Sequence, residues 1–223
     1  MAIAIFDETK YEHSFDFYEY FKVMDIPEED RQKRVKLAEN FRRVLLFFFA
    51  SLSEEYGKEY YYIMLEERCK AIAEGYLDKS DLAYINEWAR RFSIKTVDET
   101  FEKIENPVSD DEMFHFEEWD IDIPKNEYWT SDLRTMLIAG GLAVLIAGYD
   151  ELIEAVESGK TYKTWNTEKD KRVRQTHREA EKQTVEIWKP FTVGGWELLL
   201  PGDDSLGAPP EETSNCRCHL TYS

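Results

Sequence analysis

Two cysteines near the end of the chain, Cys216 and Cys218 in the stretch "NCRC", are the residues best suited to chemistry. Residues two apart in an extended segment point to the same side, so both thiols can face one neighbour while Arg217 and His219 face away. Thiolates and imidazoles are ligands that zinc prefers. If the predicted helix that carries His177 crosses that face, His177, Cys216 and Cys218 can provide three ligands for a zinc ion.

The fourth zinc ligand stays open between a water molecule, His219 after a local twist, and an acid such as Asp203. A zinc crosslink would stabilise the terminal segment, since some sixty residues bury little core. In a second interpretation, both thiols fill apolar space and His177 hydrogen-bonds to the loop backbone. A redox disulfide is a third interpretation, and all three predict that "NCRC" closes a small domain.

A charged residue of the same predicted helix offers a second interaction. Arg174 can reach Asp203 or Asp204 in the loop "PGDDSLGAPPEETSN". An arginine–carboxylate fork there would hold the loop against the helix. The alternative is an exposed pair that contributes little to stability. The length of the loop favours an anchored arrangement.

A long helical region precedes these residues. From Glu28, apolar residues recur every three or four positions, which predicts a buried helix. A second helix is predicted over residues 53–76. A third is predicted from an N-cap at Ser80, with a break near Ser93 and a stop before Pro107.

Residues 107–128 are acidic and aromatic and predict a connector. A fourth helix follows from a cap at Thr130 or Ser131 to about residue 158, where Gly159 is a C-terminal stop. Small residues recur every four positions along it and predict close helix packing within the chain, with an oligomer contact as the alternative. These small residues are Ala139, Ala143 and Ala147.

The pattern predicts an α+β fold in three parts: an N-terminal arm (1–27), a mostly helical body (28–159) and a small C-terminal helix-plus-antiparallel-sheet module (160–223). A short first helix on the core is an equal alternative to the arm. In the C-terminal module we expect a polar helix with a capping box from Thr167 to Asp170, followed by a hairpin turning at two glycines. A long loop and a last strand, "CRCHLTY", complete it.

The charge of the chain indicates its class of partner. With 28 Lys and Arg against 46 Asp and Glu, the formal net charge is −18. Such a surface repels a phosphate backbone, so we expect protein partners and no specific nucleic-acid ligand. The start of the chain does not resemble a signal peptide. The apolar run Met136–Ala147 is shorter than the ~20 residues of a membrane-spanning helix, so no membrane span is expected.

Four motifs in order carry a family resemblance: "W-N-T-x-x-D-x-R-V-R-x-T-H", "F-x-V-G-G", "P-G-D-D-S-x-G-A" and "N-C-R-C". Together they resemble the head morphogenesis domain of phage Mu F-like minor capsid proteins, over about Trp165 to Tyr222. Many relatives have a glycine shortly after the histidine-bearing helix, where this chain has "REAEKQ". The first 128 residues carry no matching motif. Besides the possible ligands, the motif residues are Trp165, Asp170, Arg174, Asp203 and Asn215.

The resemblance implies a structural minor head protein of a tailed phage or prophage, without catalytic activity. It implies a role in head morphogenesis at or near the portal, and packaging with the virion. The implied partners are the portal protein and the major capsid or scaffold protein. The implied location is the phage head, and the host cytoplasm during assembly.

An enzyme that cleaves phosphodiesters, acting as an effector, is the alternative function. In it, His177 would act as acid or base, and Arg174 and Arg178 would hold phosphate beside Glu179. Against it, the sequence shows neither a second histidine nor an acid pair at a recognisable catalytic spacing.

Overall fold

The structure is a computed structural model that describes residues 16–53, 55–77, 82–109, 111–116 and 121–223. Long helices come first, and short helices and antiparallel strands follow, which confirms the predicted α+β class. In chain order the elements are α1 (Phe17–Lys22), α2 (Glu28–Ser51), α3 (Lys58–Tyr76), α4 (Leu82–Glu105), β1 (Met113–Phe116), β2 (Ile121–Pro124), α5 (Lys125–Tyr128), α6 (Asp132–Glu157), β3 (Tyr162–Asn166), α7 (Gln175–Glu179), β4 (Thr184–Glu186), β5 (Phe191–Val193), β6 (Trp196–Leu198), α8 (Pro210–Thr213) and β7 (His219–Tyr222).

Two helical predictions need correction. Helix α3 begins at Lys58, later than predicted. Helix α4 runs through Ser93 without a break, because the Ser93 hydroxyl donates to the Arg90 carbonyl at 2.9 Å and is satisfied inside the helix. The predicted cap Ser80 lies outside the described residues.

The segment predicted as a connector, 107–128, contains regular structure. Strands β1 and β2 pair antiparallel, with His115 opposite Asp122. The imidazole Nδ1 lies 2.7 Å from the Asp122 carboxylate, so His115 belongs to a cross-strand pair. The short helix α5 follows directly.

The chain forms two compact units that do not follow the predicted boundary at residue 159. Unit 1 contains the described residues of Arg42–Gly75 and Asp81–Met136. Unit 2 contains those of Asp16–Phe41, Tyr76–Ser80 and Leu137–Ser223. The C-terminal module therefore shares a unit with α1, the first part of α2 and most of α6.

A buried arginine organises unit 1. Arg134, 4% exposed, donates to the Thr100 hydroxyl at 2.8 Å and to the Trp129 carbonyl at 2.7 Å. Its guanidinium lies over the rings of Phe49 and Trp129, and Glu99 approaches it at 3.5 Å. Hydrogen bonds, aromatic faces and a nearby carboxylate together offset the cost of burying this charge.

Residues 16–27 fit the alternative of a short helix on the core. Helix α1 is capped by Asp16, whose carboxylate accepts from the Tyr18 amide at 2.8 Å. Its apolar residues Phe17, Tyr20 and Phe21 are buried within unit 2. Residues 1–15 of the predicted arm lie outside the described residues.

Helix α6 presents small residues to its neighbours in unit 2. A Cβ on Gly140 would lie 3.0 Å from the Tyr20 ring, and one on Gly141 would lie 3.8 Å from the Asn215 amide nitrogen. Ala139, Ala143 and Ala147 are also buried, as expected for close packing within the chain.

By length and composition, α6 could also cross a membrane. The helix has 26 residues, and 72% of its most apolar window is buried inside the fold. Burial of that extent is typical of a core helix. The predicted absence of a membrane span stays a prediction.

The C-terminal module holds one three-stranded sheet, ordered β4-β3-β7, and the β5–β6 hairpin. In the hairpin turn, Gly194 and Gly195 have φ of +59° and +83°, the left-handed conformation that a two-residue turn requires. Strand β3 contributes Trp165 to the core, with the ring 5.3 Å from that of Phe191. Strand β7 begins at His219, so the two cysteines lie before the last strand and not within it, contrary to the prediction from "CRCHLTY".

The predicted polar helix is shorter than expected. Only Gln175–Glu179 is helical, and the capping box from Thr167 to Asp170 is wrong. Lys169 adopts a left-handed φ of +57°, and the Asp170 carboxylate accepts from the Arg172 amide at 2.9 Å. These local contacts hold the segment in a turn and prevent it from joining the helix.

A buried lysine in β3 makes the stability of the module depend on pH. Lys163 is 0% exposed and donates to the Leu199 carbonyl. Burial lowers the pKa of its ammonium group to about 8, partly offset by Asp203. Because the folded pKa lies below the unfolded one, the unfolded chain binds more protons between the two values, and stability rises with pH across that window.

We therefore predict that the parent chain gains stability relative to Lys163→Met as the pH rises. The difference between their free energies of unfolding should increase by roughly 1–2 kcal/mol from pH 8 to pH 10. Urea unfolding at several pH values measures it. The exposed Lys160→Met is the control and should show no such change. Parallel pH curves for the parent chain and Lys163→Met would contradict the prediction.

Candidate metal centre

His177 is held in place by the turn that leads into α7. The Arg178 guanidinium donates back to the carbonyls of Asp170 and Lys171, at 3.3 and 3.1 Å, and closes the turn on the helix. The edge of the Trp165 ring packs against the imidazole, with 5.6 Å between centroids. His177 is therefore 2% exposed and fixed from two sides.

Cys216 and Cys218 lie between α8 and β7, where Asn215 redirects the chain. Asn215 has a φ of +52°, a left-handed conformation that asparagine tolerates better than most residues. Arg217, between the cysteines, forms a two-pronged ion pair with the Asp170 carboxylate at 3.0 and 3.3 Å. The alternation predicted from the sequence therefore places Arg217 on Asp170 and both thiols on His177.

The three predicted ligands come together. His177 Nδ1 lies 3.6 Å from the Cys216 sulfur and 3.5 Å from the Cys218 sulfur. All three ligand atoms lie within 4.8 Å of one another, and all three residues are buried. This cluster can hold a metal ion. The same distances also fit thiol hydrogen bonds to the imidazole, the arrangement expected for the packing interpretation.

The two thiols have opposite proton affinities. The hydrogen bond from the Cys218 thiol lowers the pKa of Cys216 well below its ordinary value, against burial and with the help of His177. The same hydrogen bond, together with burial, raises the pKa of Cys218. Burial acts to lower the pKa of His177, but the hydrogen bond and charge of Cys216 outweigh it and raise that pKa. The arrangement favours deprotonation of Cys216, which is the form that binds a metal ion, and metal binding would also release the Cys218 proton.

The indole of Trp165 lies beside Cys218. Its Nε1 is buried and has no hydrogen-bond partner within the described part of the chain. The indole acts to lower the pKa of the Cys218 thiol, although the hydrogen bond with Cys216 and burial dominate and raise that pKa. A buried N–H next to a sulfur ligand is suited to the outer shell of a metal site.

The predicted candidates for a fourth protein ligand serve elsewhere. The Asp203 carboxylate accepts from the Leu199 amide, the Ser205 amide and the Ser205 hydroxyl, at 3.3, 3.1 and 2.7 Å. His219 Nδ1 pairs with Glu168 at 2.9 Å. A cavity of about 20 Å³ adjoins the thiols and has room for one water molecule. Of the three candidates named from the sequence, a water molecule is therefore the one that stays open as a fourth ligand.

Arg174 anchors the loop by binding one of the loop's backbone carbonyls with its side chain. Its guanidinium donates to the Ser214 carbonyl, the residue before "NCRC". The arginine–carboxylate fork of this region is formed by Arg217 and Asp170. The loop is thus anchored as predicted, but the fork joins a different pair of residues.

Sequence reasoning missed Glu212 and Thr176. Glu212 approaches His177 Nε2 through its backbone carbonyl at 3.1 Å and through its carboxylate at 3.2 Å. Thr176 donates its hydroxyl to the same carboxylate at 2.8 Å. In the sequence, Glu212 is one of two adjacent acids in "PEET", and no spacing rule connects it with His177. Only the turn of α8 decides that Glu212 is buried while Glu211 is exposed.

Comparisons with protein-family models, with curated proteins and with solved structures find no match for this chain.

We predict that His177→Ala and Cys216→Ser each reduce the metal content of the purified chain from about one ion to near zero, because three ligands are needed to retain it. Elemental analysis of protein prepared without a metal-binding tag measures the content. Cys69→Ala, which removes a buried thiol of α3, is the matched control and should keep the metal. If the purified parent chain contains no metal and chelator leaves its thermal unfolding unchanged, the prediction is wrong and the cluster is a packing arrangement only.

Proposed function

We propose that this chain is a structural minor head protein of a tailed phage or prophage, acting in head morphogenesis at or near the portal and packaged with the virion. One observation carries the proposal. Most of the motif residues that resemble the phage Mu F-like proteins lie around the buried side chains of His177, Cys216 and Cys218 in unit 2, while Asp203 holds its own loop. Trp165 packs on His177, Asp170 pairs with Arg217, and Arg174 holds the Ser214 carbonyl.

The geometry of these residues supports a role without catalysis. A phosphodiester-cleaving enzyme would need His177 and its neighbouring arginines to face a substrate. His177 is instead 2% exposed, with one ring nitrogen next to the thiols and the other on Glu212. Arg178 contacts backbone carbonyls, and Glu179 accepts from the Gln175 amide at 3.0 Å. These contacts favour a module built to hold its own segments together.

Within this proposal, zinc is the metal of the cluster. Tetrahedral zinc with bonds of about 2.3 Å to sulfur and about 2.05 Å to nitrogen sets sulfur and nitrogen about 3.6 Å apart. The distances from His177 Nδ1 to the two sulfurs, 3.6 and 3.5 Å, match that edge. Two thiolates and one imidazole also form a ligand set that binds zinc in preference to hard cations. The ion would link α7 to "NCRC" and compensate for the small core of the module.

The proposed partners are the portal protein and the major capsid or scaffold protein. The chain carries a formal charge of −18, which disfavours direct binding to the packaged nucleic acid and leaves protein surfaces as the targets. The proposed location is the virion head, with the host cytoplasm as the place of assembly.

Cobalt provides the test of zinc and its ligands. We predict that Co²⁺ added to the metal-free chain gives a strong thiolate-to-metal absorption band and the visible bands of a tetrahedral site, because cobalt accepts the geometry of zinc. Zinc should displace cobalt and abolish the bands. Weak bands of an octahedral, oxygen-bound ion would contradict the proposed site.

For the head protein itself, the test is the composition of particles. We predict that the chain is found in purified tailed-phage particles of the organism that encodes it, by mass spectrometry and by immunogold labelling at one vertex. Consistent absence from DNA-filled heads would overturn the proposed function.

A truncated chain tests whether the N-terminal arm docks on the particle. We predict that deletion of residues 1–15 reduces incorporation several-fold, since this stretch combines aromatic and acidic side chains suited to a protein partner. The cut stops before Phe17, because Phe17, Tyr20 and Phe21 are buried and their loss would damage unit 2. Circular dichroism of the truncated chain is the control for folding. Normal incorporation would exclude the arm as the docking element.

A further inference from the structure

The side of the His177 ring away from the thiols contacts two oxygen atoms of Glu212. The Nε2 atom lies 3.1 Å from the Glu212 backbone carbonyl and 3.2 Å from its carboxylate. A carbonyl oxygen can only accept a hydrogen bond, so Nε2 must carry the proton. The lone pair of a neutral imidazole then lies on Nδ1, which faces both sulfurs. The contacts of Glu212 therefore select the tautomer that can bind a metal next to the thiols.

The carboxylate of Glu212 is itself held from two further sides. The Thr176 hydroxyl donates to it at 2.8 Å, so the residue before His177 on α7 contributes to the same contact. In the β5–β6 turn, a Cβ on Gly194 would lie only 2.3 Å from the Glu212 carboxylate. The absence of a side chain at Gly194 thus lets the hairpin close over Glu212. Glu212 is 9% exposed as a result.

We infer that Glu212 is a positioning residue of the metal site, which orients His177 and holds it in the Nε2–H tautomer so that Nδ1 binds the ion. The inference rests on the proposed zinc binding and adds a residue that supplies no ligand atom to it. A histidine ligand whose other ring nitrogen donates to a carboxylate is a recurrent device of metal sites. Loss of such an outer carboxylate typically lowers metal affinity by about 10–100-fold.

The decisive experiment compares zinc affinity, by competition with a chromophoric chelator, for the parent chain and five variants. Glu212→Ala should weaken zinc binding by about 10–100-fold, and Glu212→Gln, which keeps the shape and one acceptor, should weaken it less. Glu211→Ala removes the same charge from an exposed position of the same helix and should bind like the parent chain.

Substitutions of the two glycines in the β5–β6 turn test the same contact of Glu212 from the side of the hairpin. Gly194→Ala should displace the carboxylate and weaken zinc binding, because its Cβ clashes with Glu212. Gly195→Ala is the matched control: it carries the same kind of left-handed strain, with φ of +83°, but its Cβ would meet nothing within 4 Å. A loss of affinity shared equally by both variants would reflect turn strain and would count against the role of Glu212.

Nitrogen NMR of the zinc-loaded chain separates positioning from general stability. In the parent chain and in Glu211→Ala, the His177 shifts should show metal on Nδ1 and a proton on Nε2. In Glu212→Ala, which loses the carboxylate but keeps the backbone carbonyl, we expect exchange broadening of the His177 signals because the ring is less firmly oriented. If the parent chain binds no zinc, the zinc site and this role fail together. If the parent chain binds zinc and Glu212→Ala matches Glu211→Ala in affinity and spectrum, only the role of Glu212 is overturned.

Discussion

The C-terminal module depends on the meeting of His177 with Cys216 and Cys218, because its sheets are too small to form a large core. The module contains one sheet of three short strands and one two-stranded hairpin. Isolated hairpins are marginally stable in water, and a few short strands bury little apolar area. The contact of His177 with the two cysteines joins α7 to the segment before β7. It therefore connects elements that the sheets alone would hold only loosely.

Several polar contacts surround that meeting point, and each fixes one of its parts. The Arg217–Asp170 pair sets the direction of "NCRC", and Glu212 sets the orientation of the imidazole. Glu168 pairs with His219 at the start of β7. Each of these contacts joins residues that are distant in sequence, so they convert local turns into one structure. Of these carboxylates, only that of Glu212 contacts one of the three predicted ligands, on the ring nitrogen of His177 that faces away from the thiols, where it can orient the ring without competing for an ion.

Helix α6 provides the surface on which the rest of unit 2 is built. Its glycines bring Tyr20 and the backbone of Asn215 close to the helix axis. The segment "NCRC" thereby packs against the longest helix in the described part of the chain. On α6, Glu151 pairs with the buried Arg34 of α2 at 2.6 Å, so this packing also contains a charged contact. Removing one partner of such a buried pair is far more costly than removing both.

The amino-acid sequence by itself determined the features that depend on local periodicity and chemistry. The long helices follow from apolar spacing, the hairpin turn from two adjacent glycines, and the shared face of Cys216 and Cys218 from the two-residue repeat of an extended chain. His177 could be selected as their partner because it is the one histidine on the adjoining predicted helix.

The tertiary structure decided everything that requires distant segments to meet. No spacing rule separates Glu212 from Glu211, and only the packing of α8 on α7 selects the carboxylate that contacts His177. The boundary between the two units could not be read locally either, because α2 and α6 are each continuous helices that contribute residues to both. The Asp170 side chain opposed the predicted polar helix both locally, by accepting from the Arg172 amide, and at long range, by pairing with Arg217. Helix propensities differ by about 1 kcal/mol or less between most residue types. The free energies of long-range hydrogen bonds and of burial together outweigh such differences.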